Sequence, residues 1–231
     1  MNPSRRVRRI QVLEDRAGRT GPADGFLRLR RLTLVNEYED GTRSAPYPCD
    51  VVSRRRVDAV TILLFRRKAG DRVEVALREG YRAPIWLRCE DPGVPFPEDP
   101  PIAALVETVA GVIEEEDARL PRSKALRRRA RLEAREEVGI EIPEEAIFEL
   151  GAASFPSPGV SDEKVYFCAA EAELDGALPP SGDGSVMEEA GGLFRCDLEE
   201  AIRRCREGAI PDMKTEIALT RLRDRLSEAS Q

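Results

Sequence analysis

Hydrophobic positions along the chain follow two rhythms. Alternation of period two runs through Phe26 to Val35 and through Val73 to Arg78, and predicts strands there. Val57 to Arg66 is instead a nearly unbroken apolar run, as expected of a strand buried on both faces. The Ala69-Gly70-Asp71 turn joins the last two into a hairpin, and Asp40-Gly41 marks an earlier turn. Shorter strands are predicted at Ile147 to Leu150 and Val165 to Ala170. Helical spacing begins after Ser123, read as an N-cap, and stops at Gly139; two further helices lie near Leu198–Glu207 and Met213–Ser227. Leu105 to Gly111 reads as the entry to a turn, followed by the acidic stretch Glu114 to Asp117. Residues 83–101, with six prolines and one glycine, read as one long loop, and residues 174–185 as another. Strands and helices mix without regular βα alternation. The expected class is therefore α+β or an α/β/α sandwich around a mixed sheet. Residues 1–55 form a strand-rich N-terminal region, and residues 56–231 the main domain.

Composition narrows the chemistry. The 231 residues include no histidine, which excludes Ser-His-Asp and Cys-His nucleophile pairs and His-ligated zinc. Polar chemistry must come from carboxylates, basic groups, hydroxyls, thiols or an oxygen-held metal. Cys49, Cys89, Cys168, Cys196 and Cys205 are odd in number and contain no CxxC pair, so a disulfide framework or thiolate metal site is not expected. They read as inert buried residues. The N-terminal arginines, Arg5, Arg6, Arg8 and Arg9, lack the apolar stretch of a secretion signal, and cytoplasm is the expected compartment. No apolar run is long enough to cross a bilayer, so no membrane partner is expected. The net charge of -6 argues against nucleic acid as a partner. It hides a split: residues 1–90 carry 20 Lys+Arg against 12 Asp+Glu, and residues 91–231 carry 17 against 31. A basic and an acidic half could both face one anionic, metal-bound substrate.

The informative segment is Leu132-Glu133-Ala134-Arg135-Glu136-Glu137-Val138-Gly139-Ile140. On a helix, Glu133, Glu136 and Glu137 stand at i, i+3 and i+4 and share a face. Their mutual repulsion is relieved if a hard divalent cation sits among them, and oxygen-only ligation suits Mg²⁺ or Mn²⁺. Read alone, the run also fits a solvated helix face with Arg129 and Arg135 among the glutamates.

The segment resembles the box of the Nudix hydrolases. Its second half matches at Glu133, Ala134, Glu136, Glu137, Gly139 and Ile140; the first half fits Ala110-Gly111, preceded by Glu107, with Asp117 in the place of the first box glutamate. Gly111 and Glu133 stand 22 positions apart, seven more than the pattern, most simply through an insertion around Ala118–Lys124. Leu132 replaces the box arginine, which in the family holds a metal-binding glutamate; Arg129, Arg131 and Arg135 are the nearby substitutes. Three further segments are similar to those of the ADP-ribose and nucleotide-sugar pyrophosphatases in this superfamily: Arg78-Glu79-Gly80-Tyr81-Arg82, Ser157-Pro158-Gly159-Val160-Ser161-Asp162-Glu163, and Gly208-Ala209-Ile210-Pro211-Asp212-Met213-Lys214-Thr215.

The resemblance implies Mg²⁺-dependent hydrolysis, Mn²⁺ being a possible substitute, of the diphosphate in a nucleoside diphosphate linked to another small moiety. It implies metal ligation by Glu133, Glu137, Glu136 and the Ala110 carbonyl. It implies a general base at Glu163, with Glu136 as the competing candidate. Arg78, Arg82, Glu107 and Gly111 are expected on the substrate side. Trp86 could stack on a base or sugar, or sit in the core. The implied architecture is a Nudix α/β/α sandwich with an N-terminal antiparallel sheet, in a homodimer. The alternative is a ligand-binding or regulatory module with little turnover, favoured by Leu132 and the insertion.

Overall fold

The computed structural model describes residues 7–15, 27–89, 91–98, 102, 104–176 and 192–229. The chain falls into two units, residues 1–57 with 155–164, and residues 58–154 with 165–231. Relative to the boundary expected near residue 55, residues 155–164 thus go with the N-terminal unit.

Alternating positions build the first unit. Strands β1 (Val7–Asp15), β2 (Leu27–Tyr38) and β3 (Tyr47–Arg54) form an antiparallel sheet in that order. Phe26, expected to open the second strand, lies outside the described residues. Beyond Tyr38 the chain turns at Gly41, whose φ of 80° is the left-handed conformation that glycine adopts without strain. The Ser157–Glu163 segment attaches along β3: the Val52 N–H donates to the Val160 carbonyl at 2.7 Å, and Val52 pairs with Ser161.

The second unit is a mixed sheet. Strand β4 (Ala59–Arg67) has seven consecutive buried residues, which explains its unbroken hydrophobicity. It turns through Gly70 and Asp71, both at positive φ, into β5 (Val73–Tyr81). Two strands follow where the sequence suggested a turn: β6 (Ala104–Glu107) pairs with β5, and β7 (Val109–Val112) with β4. The direct β4–β5 pairing covers only Leu64–Arg67 against Ala76–Val73. Beyond it, the single segment 104–112 pairs with both, and Thr108 is its joint. This bridging segment positions the site described below. The sheet is completed by β8 (Phe148–Glu149), by β9 (Val165–Glu171), which runs parallel to β4, and by β10 (Gly192–Asp197), which pairs with β5.

Helices cover both faces, as expected for an α/β/α sandwich. The expected loop at 83–101 contains a short helix, α1 (Ala83–Arg88), started by a proline in its first turn. Trp86 is 44% exposed, so it is not a core residue. Helix α2 (Arg122–Val138) buries Leu126, Ala130, Ala134 and Val138 against Val60, Ile62 and Leu64. Its N-cap is Pro121 and not Ser123, which falls inside the first turn. Its C-terminus closes at Gly139, whose N–H donates to the Arg135 carbonyl while Ile140 donates to Ala134. On the other face, α3 (Leu198–Arg206) and α4 (Met213–Glu228) pack Ala201, Ile202, Ala218, Leu219 and Leu222 against Leu63, Phe65, Val75 and Leu77. All five cysteines are free thiols; burial raises Cys168 to about 12 and Cys205 and Cys196 to about 11, which keeps them protonated and unreactive. Among the described residues no helix is long and apolar enough to cross a membrane.

Candidate carboxylate site

The site grows from the last two turns of α2 meeting the bridging segment. Helical spacing divides the three glutamates. Glu137 turns toward the sheet and is 9% exposed, Glu133 is partly buried, and Glu136 is exposed. The three carboxylates thus run from buried through half-buried to exposed.

Glu133 and Glu137 bracket one stretch of backbone. Glu137 Oε2 accepts the Ala110 N–H at 3.2 Å. Glu133 lies directly over Gly111: a Cβ at that position would stand 1.8 Å from Glu133 Oε1. Any side chain at Gly111 would occupy the space of the carboxylate, which is the physical reason for glycine here.

Arg78 supplies the countercharge. It is 4% exposed, and its Nη1 donates to Glu137 Oε1. Despite Arg78, Glu137 is raised to about 7: burial is the largest cause, and the charges of Glu133 and Glu107 add to it against the help of Arg78 and the Ala110 N–H.

Glu107 faces Arg78 in the strand register but is 3% exposed and holds other partners. It accepts from Arg82, which is part-exposed, and from Lys214 Nζ at 2.5 Å. Lys214 also bonds Asp212, the N-cap of α4, at 3.0 Å. Asp212 Oδ2 accepts the Thr215 N–H at 3.0 Å and the Thr215 hydroxyl at 2.5 Å, and Thr215 Oγ1 accepts the Thr108 N–H at 2.8 Å. On the other side of the joint, Thr61 Oγ1 lies 2.5 Å from Thr108 Oγ1 and 2.9 Å from the Val109 carbonyl. Three threonines that are 0–1% exposed thus hold the bridging segment between its site residues, Glu107 and Ala110. Asp212, Lys214 and Thr215 were visible only as part of the Gly208–Thr215 segment, and nothing in the sequence marked Thr61 or Thr108. The Asp212-x-x-Thr215 spacing at the head of α4 is an N-cap signal that marks the first part of this arrangement.

Asp117 is wholly buried. It accepts from Arg128, from Arg129 Nε at 2.8 Å and from the Glu114 N–H at 3.0 Å. Arg129 Nη1 in turn lies 3.5 Å from Glu133 Oε1. Burial works against the charge on Arg129, but Asp117, Glu133 and Glu114 outweigh it and hold its pKa above the ordinary value.

Glu163 belongs to the first unit, where Arg54 Nη2 pairs with its Oε1 at 2.8 Å and its N–H donates to Ser161 Oγ at 3.1 Å. The neighbouring Asp162 accepts from Ser53 Oγ at 2.9 Å. The Ser-Pro-Gly segment is thereby fixed to the β3 edge. Among the described residues, no three Asp, Glu or Cys side chains gather into a ready ligand set. Arg78 and Arg129 hold two of the expected carboxylates, and Glu136 is turned to solvent.

Comparison with known proteins places the fold first. The solved structure titled "Crystal structure of ADP compounds hydrolase" superposes with a TM-score of 0.64 at 15% identity, over 98% of each chain. The fold is therefore that of this hydrolase, a mixed sheet between helices. No family model matches the chain. Two curated relatives narrow the likeness. The GDP-mannose pyrophosphatase of Cronobacter sakazakii is 26% identical over 206 residues, 87% of this chain and 90% of its own length. The GDP-mannose pyrophosphatase of Pectobacterium atrosepticum is 29% identical over 161 residues, 69% of each. The chain resembles the Nudix pyrophosphatases of ADP-ribose and nucleotide sugars in sequence as well as in fold.

Proposed function

We propose that the chain hydrolyses the diphosphate bond of a nucleoside diphosphate linked to a second moiety, the substrate class of ADP-ribose and nucleotide sugars, by attack of water on phosphorus. The observation that carries this reading is the bracketing of the Ala110–Gly111 backbone by Glu133 and Glu137. The names of the two pyrophosphatase relatives point the same way.

A hard cation fits this donor set. Two carboxylates and a backbone carbonyl are oxygen donors, and the raised Glu137 carboxyl is a desolvated group that a cation would relieve. Glu133, Glu137 and the Ala110 carbonyl would hold Mg²⁺, or Mn²⁺ in its place, with Glu136 free to join them. When bound, the ion supplies charge neutralisation for the diphosphate oxygens and acidifies water.

The chain's own residues supply the rest. Arg78 fixes the buried edge of Glu137. Arg82, with its side chain 38% exposed, is the arginine available to a phosphate; its fork matches phosphate geometry. With no histidine in the chain, the proton acceptor is a carboxylate: Glu163, held by Arg54 and Ser161, or the exposed Glu136. Glutamine at the true base lowers kcat by about 10²–10⁴-fold and at the other position changes it little; equal small effects would remove both candidates.

The test is a hydrolysis screen with Mg²⁺ over ADP-ribose, UDP-, GDP- and ADP-sugars, dinucleoside polyphosphates and nucleoside triphosphates. The expected products are phosphomonoesters from the first two groups. No phosphomonoester from either of these groups would sink the reading. A second reading, ligand binding without turnover, is favoured by Leu132 and by the pairing of Glu137 with Arg78. Glu137→Gln separates the two, since it removes turnover under the first and spares ligand affinity under the second.

A further inference from the structure

Leu132 occupies the position where the resembled pattern has an arginine, and three other arginines lie near it on α2. The structure distributes them differently. Arg131 Nε lies 3.5 Å from Glu144, and Arg135 Nε 3.0 Å from Glu141. Arg129 is the one of the three that pairs with Glu133, at 3.5 Å and one helical turn away.

Arg129 is not a loose surface arginine. Its side chain is 11% exposed, and its Nε and Nη2 each lie 2.8 Å from Asp117 Oδ2. Asp117 is 0% exposed and is fixed by the Glu114 N–H and by Arg128 as well. A carboxylate so deeply buried is retained only where its charge is matched, and here the matching group passes on to Glu133. The chain thus runs from Asp117 through Arg129 to Glu133 and ends over Gly111, whose missing side chain leaves the space the carboxylate occupies.

The insertion accounts for the altered position. Asp117 stands at the pattern's spacing from Gly111, so the seven extra residues fall between Asp117 and Glu133. They enter as the turn after Asp117 and the first turns of α2, which begins at Arg122. Arg128 and Arg129 stand about one helical turn before Leu132 and Glu133, and from there α2 presents its arginines to Asp117.

We propose that Asp117 and Arg129 act together as positioning residues for Glu133, doing in this chain what its Leu132 cannot. This rests on the metal-dependent reading above, because Glu133 is taken there as a ligand. Neither residue touches substrate.

The test uses the full chain and Mn²⁺ alone, with binding read by electron paramagnetic resonance. The relevant site is the one lost in Glu133→Gln. In Arg129→Met the Mn²⁺ dissociation constant at that site rises roughly tenfold to a hundredfold, as for other outer-shell partners of a metal ligand. Arg129→Lys keeps the charge without the fork and recovers part of the loss. In any substrate the screen identifies, kcat at fixed Mg²⁺ falls while KM at saturating Mg²⁺ holds. Asp117→Asn weakens Mn²⁺ likewise, and adding it to Arg129→Met costs nothing more, since the two act as one unit. Near-ultraviolet circular dichroism checks the fold. If Arg129→Met does not fold, Arg129→Lys and Asp117→Asn carry the test. Wild-type-like Mn²⁺ binding in folded Arg129 variants would overturn the proposal and leave the function reading standing. Absence of Mn²⁺ binding in the unsubstituted chain would overturn both.

Discussion

At the scale of single residues, Gly111 and Glu137 carry the sharpest consequences. A methyl group at Gly111 would stand 1.8 Å from Glu133 Oε1, yet the obstructing atoms are the far end of a flexible side chain. The carboxylate can swing away at little cost to the fold. Gly111→Ala is therefore expected to leave the melting temperature nearly unchanged while lowering kcat by about a hundredfold, the scale of a misplaced functional group. A large loss of stability with retained kcat would contradict this placement of Glu133. Glu137 makes a prediction about pH. Its folded pKa of about 7 lies above the ordinary value of 4.5, so between these limits the folded state binds the extra proton. In metal-free protein this contribution to stability is fully present below pH 4.5 and is lost as pH rises through 7. Urea denaturation in a chelator should show that decline, and Glu137→Gln should flatten it. The i, i+3, i+4 spacing made the three glutamates visible in sequence. Which of them is buried depends on the sheet beneath α2, and local spacing alone does not show it.

At the scale of elements, the bridging segment is the piece on which the site depends. Its joint, Thr108, is held from α4 by Thr215 and Asp212. Asp212→Ala removes an N-cap and should cost about 1 kcal/mol. Thr215→Val also leaves the buried Thr108 N–H without its acceptor, and should cost about 1–3 kcal/mol together with activity. Thr215→Ser restores both, because the hydroxyl is what Thr108 and Asp212 use; chemical denaturation and kcat would show whether it does. Failure of serine to rescue would mean that packing of the Thr215 methyl, and not the hydrogen bonds, holds the joint. Strands β4, β5 and β9 and helices α2 to α4 were legible because each has a long periodic or continuous apolar pattern of its own. Strands β6 and β7 were not. They are four residues each, separated by Thr108, and exist because β4 and β5 pair directly over only four residues and leave the rest of their facing edges open to a third segment. Strand β10 likewise depends on the edge of β5 and was not expected from its sequence. Ser123 was a plausible cap by residue type, but Pro121 caps the helix two residues earlier, its fixed φ already suited to the approach.

At the scale of the whole molecule, the remaining expectation is assembly. The first unit is the smaller, yet four of the nine exposed large hydrophobic side chains among the described residues lie in it: Leu13, Leu27, Phe155 and Val160. Leu13 and Leu27 sit on β1 and β2, strands that otherwise carry many charged residues. Exposed apolar side chains on a small sheet favour association with a partner, since their burial contributes about 1.5–3 kcal/mol each. A homodimer formed through this unit is therefore expected. Sedimentation equilibrium should give a mass of twice 25.7 kDa at micromolar protein. The double substitution Leu13→Asp, Leu27→Asp should return it to 25.7 kDa with its circular dichroism unchanged. Charge at these positions opposes association without emptying the core, because neither side chain is buried in the single chain. A wild-type mass of 25.7 kDa at every concentration would remove the dimer. A dimer that survives both aspartates would instead move the interface off these two strands.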